Sequence, residues 1–394
     1  MMSSRLTRLP GDLAVIFLGV LMGFLILEVG IRIYDFATSE TKPPSIVTIN
    51  ELGHTIYTPN LDARWTSTDD AEELIHVFTN DHGFIGRNYP KEKPVGTYRT
   101  IALGDSFTAA ADVNTEKNFI SLLESELSNR EAVEVMNFGV GGQGTFEELV
   151  RYAYTASEWE HDLVAVFFYP NDFENNQFYV PFLERIREDD WHDIPLSNAN
   201  NNVGRSDLKY RILKASRLIQ IIDAKVRGNA FLESIAVRIG LHHAGVMGLP
   251  VQGIHPTFFM YQVPLSESHR AVFEFTGDLL AALKREVERK GARLVLVYLP
   301  EAVSVDSNLF EDKKEELPSL KEYVWDLDQP TAALKAAANK SGIPFLDLTD
   351  AFRSAFAEDP SAHLYIRRDG HFTEEGNALV ARVVLPFFQS VRDK

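Results

Sequence analysis

The chain has 394 residues, of which 45% are hydrophobic and 24% charged, a balance that excludes a wholly disordered or collagen-like protein. Its 56 acidic residues outnumber the 39 basic ones, and the net charge of −17 argues against a nucleic-acid partner, because phosphate backbones attract basic surfaces. The absence of cysteine excludes disulfides and thiolate metal sites and is compatible with an oxidising compartment.

The first predicted element is an apolar segment from Leu13 to Ile31, in which Glu28 is the one charged residue. At about 1.5 Å per residue this helix would span roughly 28 Å, enough to cross a bilayer. Arg5 and Arg8 precede the segment and favour a cytoplasmic N-terminus. A cleaved signal peptide is the alternative, but no convincing cleavage site follows. We predict that residues 1–34 are a cytoplasmic tip and a single transmembrane anchor, with the remainder outside the cytoplasm.

The region after this anchor is polar over residues 35–96. It carries two turn-forming stretches, at 41–44 and 89–94, with no long periodic segment between them. We predict a stalk and an entry segment there, and a main domain over residues 97–394.

Short apolar runs alternate with amphipathic stretches in the main domain. The pattern predicts strands at 100–103, 133–138, 163–168, 294–299 and 344–348, and helices at 118–127, 146–154, 268–289 and 331–339. Strands separated by helices favour a parallel sheet with helices on both faces. The predicted fold is α/β: a flavodoxin-like three-layer α/β/α domain with a five-stranded parallel sheet, whose ligands bind at the carboxyl ends of the strands.

An insertion at about 176–267 interrupts this alternation. Apolar residues from Leu208 to Val226 recur at spacings of three and four, which predicts an amphipathic helix with basic residues on its other faces. We therefore predict a mainly helical insertion. Its helix near 207–227 either packs as a cap over the core or contacts anionic lipid headgroups.

Two strand ends near the start of the domain carry candidate chemistry. Ser106 follows the first strand in the sequence Gly-Asp-Ser-Phe-Thr, where a sharp turn can expose a nucleophilic hydroxyl, although a helix cap has the same appearance. The second strand leads into the glycine-dense loop 139–144, whose N–H groups could stabilise an oxyanion or could merely turn the chain. The glycine spacing fits neither common nucleotide motif.

Two further polar groups lie in the second half of the pattern. Asn171 follows the third strand, and its amide is either an oxyanion donor or part of an Asx-turn. His371 precedes the last helix as a candidate general base, with Asp369 as the carboxylate that would orient it. Since the histidines show no metal-ligand spacing, we predict neither a metal nor another cofactor.

In this order the four blocks resemble the SGNH, or GDSL, hydrolases. The resemblance implies that Ser106 is the nucleophile of an acyl-enzyme mechanism, and that the oxyanion hole consists of the N–H groups of Ser106 and Gly142 with the Asn171 amide. The stretch 79–84, Thr-Asn-Asp-His-Gly-Phe, is similar to membrane-anchored bacterial members found among envelope and polysaccharide-modifying proteins. That similarity implies an inner-membrane protein with a periplasmic or otherwise extracytoplasmic catalytic domain.

The sequence departs from the family pattern at two places. Tyr169 replaces the usual third-block glycine, and Arg368 stands where the usual carboxylate is expected, so that Asp369 lies only two residues before His371. This shorter spacing resembles that of the polysaccharide O-acetylation relatives. A Ser-His dyad, or a carboxylate from another segment, is the alternative to Asp369.

The predicted function is that of a serine esterase acting on acyl esters, in particular O-acetyl esters, of an extracytoplasmic carbohydrate or envelope polymer. A polysaccharide O-acetyltransferase would use the same residues and would differ in its acyl acceptor. The further alternatives are a lipid or thioester hydrolase and a catalytically inactive scaffold or carbohydrate-binding protein.

Overall fold

The computed structural model describes residues 18–19, 22–33, 47–66, 74–128, 131–196, 216, 218–219, 256–316, 318–366 and 370–393. The chain divides into two compact units. One consists of Met1–Lys42 and Asn201–Gln252, and the other of Pro43–Asn200 and Gly253–Lys394.

A parallel sheet forms the centre of the second unit. Its five strands are β5 (Tyr98–Gly104), β6 (Val133–Asn137), β7 (Leu163–Phe168), β9 (Arg293–Tyr298) and β11 (Phe345–Asp347). They lie in the order β11-β9-β7-β5-β6 and all pair in parallel. Every strand lies within two residues of its predicted bounds. The central strand β7 shows the reason best, because a strand buried on both faces reads as an uninterrupted apolar run. The predicted five-stranded parallel α/β fold is confirmed.

Helices connect these strands and flank them. They are α1 (Ser106–Ala109), α2 (Phe119–Ser128), α3 (Thr145–Tyr154), α4 (Asn171–Asn176), α5 (Leu183–Arg187), α6 (Glu267–Arg289), α7 (Ala302–Val305), α8 (Ser307–Glu316), α9 (Gln329–Ser341), α10 (Thr349–Glu358) and α11 (Glu374–Arg392). Side-chain caps fix two of the long helices at their start, since Ser266 accepts the N–H of His269 before α6 and Thr373 accepts that of Gly376 before α11.

The sheet separates two hydrophobic cores. One core packs α3, α6 and α9 against strand side chains such as Leu103 and Val166, and the other packs α2, α10 and α11 against their neighbours Ala102 and Ala165. Successive side chains of a strand point to opposite faces, so each strand supplies both cores. The result is a three-layer α/β/α arrangement.

The region predicted as stalk and entry segment contains two antiparallel hairpins. They pair β1 (Val47–Ile49) with β2 (Thr55–Tyr57), and β3 (Asp62–Thr66) with β4 (Leu74–Phe78). A further small sheet pairs β8 (Gln262–Val263) with β10 (Val324–Trp325). Tyr57, Ile75 and Val77 form a third apolar cluster with Ala109 and Ala111, at the end of α1. The hairpins therefore pack against the segment that follows Ser106.

The first unit contains helical residues at 18–19 and 22–33. In it, Glu28 accepts hydrogen bonds from the Ser216 hydroxyl at 2.8 Å and from the Leu218 N–H at 2.9 Å. Over the described parts of the chain, no helix has both the length and the apolar character needed to cross a membrane. The start of the predicted span Leu13 to Ile31 and most of the predicted helix at 207–227 lie outside the described residues.

Candidate active site

Strand β5 ends at the candidate nucleophile. Asp105 caps the one-turn helix α1, its Oδ1 accepting the Phe107 N–H at 2.8 Å, and Ser106 is the first residue of that helix. The helix ends at Ala110, whose φ of 49° lies in the left-handed region, an uncommon conformation for a residue with a Cβ. This sharp strand-to-helix turn leaves the Ser106 side chain partly exposed at the carboxyl edge of the sheet.

The predicted base reaches this serine. Nε2 of His371 lies 2.8 Å from Oγ of Ser106, although the two residues are 265 positions apart in the chain. Two backbone hydrogen bonds close the loop before the histidine: Ile366 N–H donates to His371 O at 2.7 Å, and Gly370 N–H donates to Ile366 O at 2.8 Å. The distance between Nε2 and Oγ is the one that removal of the serine proton by a general base requires.

A carboxylate that the sequence did not indicate faces the other imidazole nitrogen. Oδ2 of Asp112 lies 3.5 Å from Nδ1 of His371. The predicted orienting residue, Asp369, lies outside the described residues. A signal for Asp112 did exist, because it is a charged residue that directly ends the run of alanines 109–111 after the nucleophile.

The glycine-dense loop lies beside the nucleophile. A Cβ built on Gly141 would be only 3.4 Å from Cβ of Ser106. Asn137 fixes the start of the loop, since its Nδ2 donates to Thr108 O at 2.8 Å. Gly142 has a φ of 71°, in the left-handed region that favours glycine, so its peptide orientation depends on the missing side chain.

Asn171 is also at this edge, in the first turn after β7. Its Nδ2 donates to Oδ2 of Asp105 at 3.0 Å, and the same oxygen lies 3.5 Å from Oγ of Ser106. An amide nitrogen carries two hydrogens, so this bond orients the amide and leaves a second donor. Burial raises the pKa of Asp105, and the bonds from Asn171 and Phe107 oppose the increase. Asp105 thus connects the nucleophile to the predicted oxyanion donor.

Comparison with known protein families identifies the family of this chain. The family model described as GDSL-like Lipase/Acylhydrolase family matches residues 102–379, more than half of the chain. The chain belongs to this family. It is accordingly an SGNH-type acyl hydrolase, an esterase, as its four blocks predicted. A search of curated proteins finds no match.

Similar solved structures have low sequence identity to this hydrolase. The crystal structure of TesA is 12% identical, covers 74% of this chain and 98% of its own, and has a TM-score of 0.38. The acetyl xylan esterase AlAXEase is 13% identical, with coverages of 73% and 98% and a TM-score of 0.39. The acetylxylan esterase Axe2 from Geobacillus stearothermophilus is 12% identical, with coverages of 75% and 95% and a TM-score of 0.38.

A buried group of ionisable residues lies behind the active-site edge of the hydrolase sheet. Nη1 of Arg151 donates to the carbonyls of Phe138, at 2.7 Å, and Gly104, at 3.3 Å, which connects the chain after β6 to the end of β5. Burial lowers the pKa of this guanidinium to about 10. Burial also raises the pKa of Glu147 to about 7 and that of Glu148 to about 8. No pattern in the sequence indicated this group.

Tyr169, which replaces the usual family glycine, places an aromatic ring against Phe107, the residue after the nucleophile. The rings of Tyr169 and Phe107 stack at a centroid distance of 3.6 Å and an angle of 17°. Phe107 in turn lies 4.6 Å from the His371 ring and 5.0 Å from that of Phe372. The side chain that replaces the family glycine thus packs against the helix of the nucleophile and supports the position of the histidine.

Proposed function

We propose that the protein is a serine esterase that removes O-acetyl groups from an extracytoplasmic carbohydrate or envelope polymer. The observation that carries the chemistry is the distance of 2.8 Å between Oγ of Ser106 and Nε2 of His371. A hydroxyl is a weak nucleophile until a neighbouring base takes its proton. The partly exposed position of Ser106 leaves its oxygen accessible to an ester.

The proposed reaction has two steps. Oγ of Ser106 attacks the ester carbonyl while His371 takes the serine proton, and the resulting tetrahedral oxyanion accepts hydrogen bonds from the N–H groups of Ser106 and Gly142 and from the Asn171 amide. His371 then gives the proton to the leaving alcohol. In the second step water attacks the acyl-enzyme by the same route and releases acetate and free Ser106.

A carboxylate at Nδ1 of His371 would hold the imidazole in its working tautomer and stabilise the imidazolium. The family resemblance assigns this part to Asp369. Asp112, at 3.5 Å, supplies a second negative charge on the same side of the ring. We propose that both act on His371.

The substrate class and the location rest on the N-terminal half of the sequence. The apolar segment Leu13 to Ile31 would hold the chain in the bacterial inner membrane, with the hydrolase domain on the periplasmic side. The similarity of residues 79–84 to envelope members supports an acylated carbohydrate as substrate.

Two assays test this proposal. A fluorophosphonate probe should label the full-length protein in detergent, and Ser106→Ala should abolish the label. Acetate release is then measured on acetylated polysaccharide with and without an added sugar acceptor. Release without acceptor supports the esterase, whereas acetyl transfer to the acceptor in place of release would show an acetyltransferase. Labelling that persists in Ser106→Ala would refute the nucleophile.

A further inference from the structure

The hairpin of β1 and β2 contacts the glycine-dense loop on both sides of Gly142. Nε2 of Gln143 donates to the carbonyl of Thr55 at 3.4 Å. Two residues along the same strand, the Tyr57 hydroxyl lies 3.8 Å from the place where a Cβ on Gly141 would be. The Gly141 backbone is close enough to the phenol oxygen to lower the pKa of Tyr57. Strand β2 therefore touches the residues before and after the predicted oxyanion donor.

Backbone hydrogen bonds and close packing hold Tyr57 in position. Tyr57 is only 4% exposed, and its N–H donates to the carbonyl of Gly83 at 3.0 Å. A Cβ on Gly83 would be 2.3 Å from the Tyr57 carbonyl, so the backbones approach more closely than any other residue allows. Asn80 closes the turn, because its Oδ1 accepts the N–H groups of His82 and Phe84.

The phenol also lies among the charges of the active site. Burial raises the pKa of Tyr57 above its usual range, the nearby Gly141 N–H opposes the increase, and the charges of Asp112 and Asp105 add to it. At neutral pH the hydroxyl is therefore protonated and uncharged. A neutral phenol keeps its own hydrogen as a donor, and its oxygen can accept a hydrogen bond as well.

We infer that Tyr57 is a positioning residue of the esterase: its hydroxyl and the Thr55 carbonyl hold the loop so that the Gly142 N–H points at the oxyanion. Both residues lie before the family-matched region 102–379, so the entry segment completes the active site. The inference rests on the proposed acyl-enzyme chemistry at Ser106. Its physical basis is that an oxyanion donor contributes fully only when it is held in place before the charge develops.

Tyr57→Phe tests the inference, because it removes one oxygen and keeps the ring in its apolar cluster. Tyr152→Phe is the matched control: this tyrosine is also buried, it belongs to the core of α3, α6 and α9, and its hydroxyl lies 3.0 Å from Nε2 of His161. We expect kcat on p-nitrophenyl acetate to fall about tenfold in Tyr57→Phe, a fraction of the roughly 100-fold to 1000-fold loss when a donor itself is removed. KM and the melting temperature should change no more than in Tyr152→Phe.

A transition-state mimic separates positioning from a purely structural role. A small alkylboronic acid adds reversibly to the serine oxygen, whose proton passes to the histidine, and forms a tetrahedral anion. Its affinity should fall by the same factor as kcat in Tyr57→Phe and should not change in Tyr152→Phe. Gln143→Leu, which removes the second contact of the loop, should weaken boronate binding in the same direction, and it decides the matter should Tyr57→Phe fail to fold.

The outcomes are distinguishable from failure of the proposed function. If the fluorophosphonate does not label the wild-type protein, the acyl-enzyme chemistry is wrong and the inference falls with it. If the wild type is labelled but Tyr57→Phe retains kcat and boronate affinity, Tyr57 does not position the loop. If kcat falls in Tyr57→Phe because the variant is less stable, as a melting temperature below that of Tyr152→Phe would show, the inference is overturned as well.

Discussion

Asp112→Asn probes the unforeseen carboxylate with a change that keeps the shape of the side chain. Two unit charges at the observed separation of 3.5 Å interact by about 1.2 kcal/mol in bulk water and by about 5 kcal/mol at an effective dielectric constant of 20. The side chains of Asp112 and His371 are 30% and 23% exposed, so solvent screens the pair and the lower values apply. The imidazole becomes positive only as it takes the serine proton. We therefore expect a loss of about 1–2 kcal/mol in the transition state, or a roughly 5-fold to 30-fold lower kcat.

The assay is steady-state hydrolysis of p-nitrophenyl acetate by the full-length protein. Asp62→Asn is the matched control, since Asp62 is a largely exposed carboxylate that pairs with Nε2 of another histidine, His76, at 2.8 Å. Asp369→Asn is measured beside it and should lower kcat by orders of magnitude if Asp369 orients the ring. A kcat of Asp112→Asn within twofold of wild type would refute the reasoning for Asp112. A large loss in Asp112→Asn with none in Asp369→Asn would assign the orienting part to Asp112 alone.

Three other predictions concern the oxyanion donor, the buried carboxylates and the topology. Asn171→Ala should lower kcat by about 100-fold to 1000-fold with the melting temperature little changed, and a loss below threefold would remove Asn171 from the oxyanion hole. The raised pKa of Glu148 means that the folded state keeps a proton that the unfolded chain releases, so stability should fall as pH rises from about 4.5 through about 8. Glu148→Gln should weaken this dependence in thermal melts from pH 5 to 9, and an identical slope in both proteins would contradict it. Protease added to spheroplasts should digest the hydrolase domain, and protection until the membrane is permeabilised would exclude the predicted topology.

The centre of the sheet was predictable because strands β5, β7 and β9 are almost entirely buried on both faces. Residues 163–168 form an unbroken apolar run with turn residues on either side, and this pattern does not depend on the neighbouring strands. The entry hairpins were not predictable in the same way. Their strands have only three to five residues, too few for a period to appear, and β1 is exposed throughout.

The residues of the active site also differ in whether the sequence predicts their position. Ser106 and Asn171 directly follow strands of one parallel sheet, and such strand ends meet at one edge, so their proximity follows from the topology. Asp112 follows Ala110, whose φ is positive, and an alanine does not predict such a turn, so the charge after the alanines could not be placed beside His371 from the sequence. The position of Tyr57 beside the glycine-dense loop depends on how a separate hairpin packs. The spacing of residues in the sequence does not predict that packing.

Asp105 is a buried carboxylate at the active site, and its hydrogen bonds explain why the fold tolerates it. A buried carboxylate without compensating bonds destabilises a fold, and Asp105 is fully buried. It accepts bonds from the Phe107 N–H and the Asn171 amide, and these same bonds fix the start of the nucleophile helix and the orientation of the amide. The compensation that makes the charge tolerable is therefore also the contact that aligns the serine with its oxyanion donor. An uncharged residue at 105 would avoid the desolvation cost and would lose that alignment.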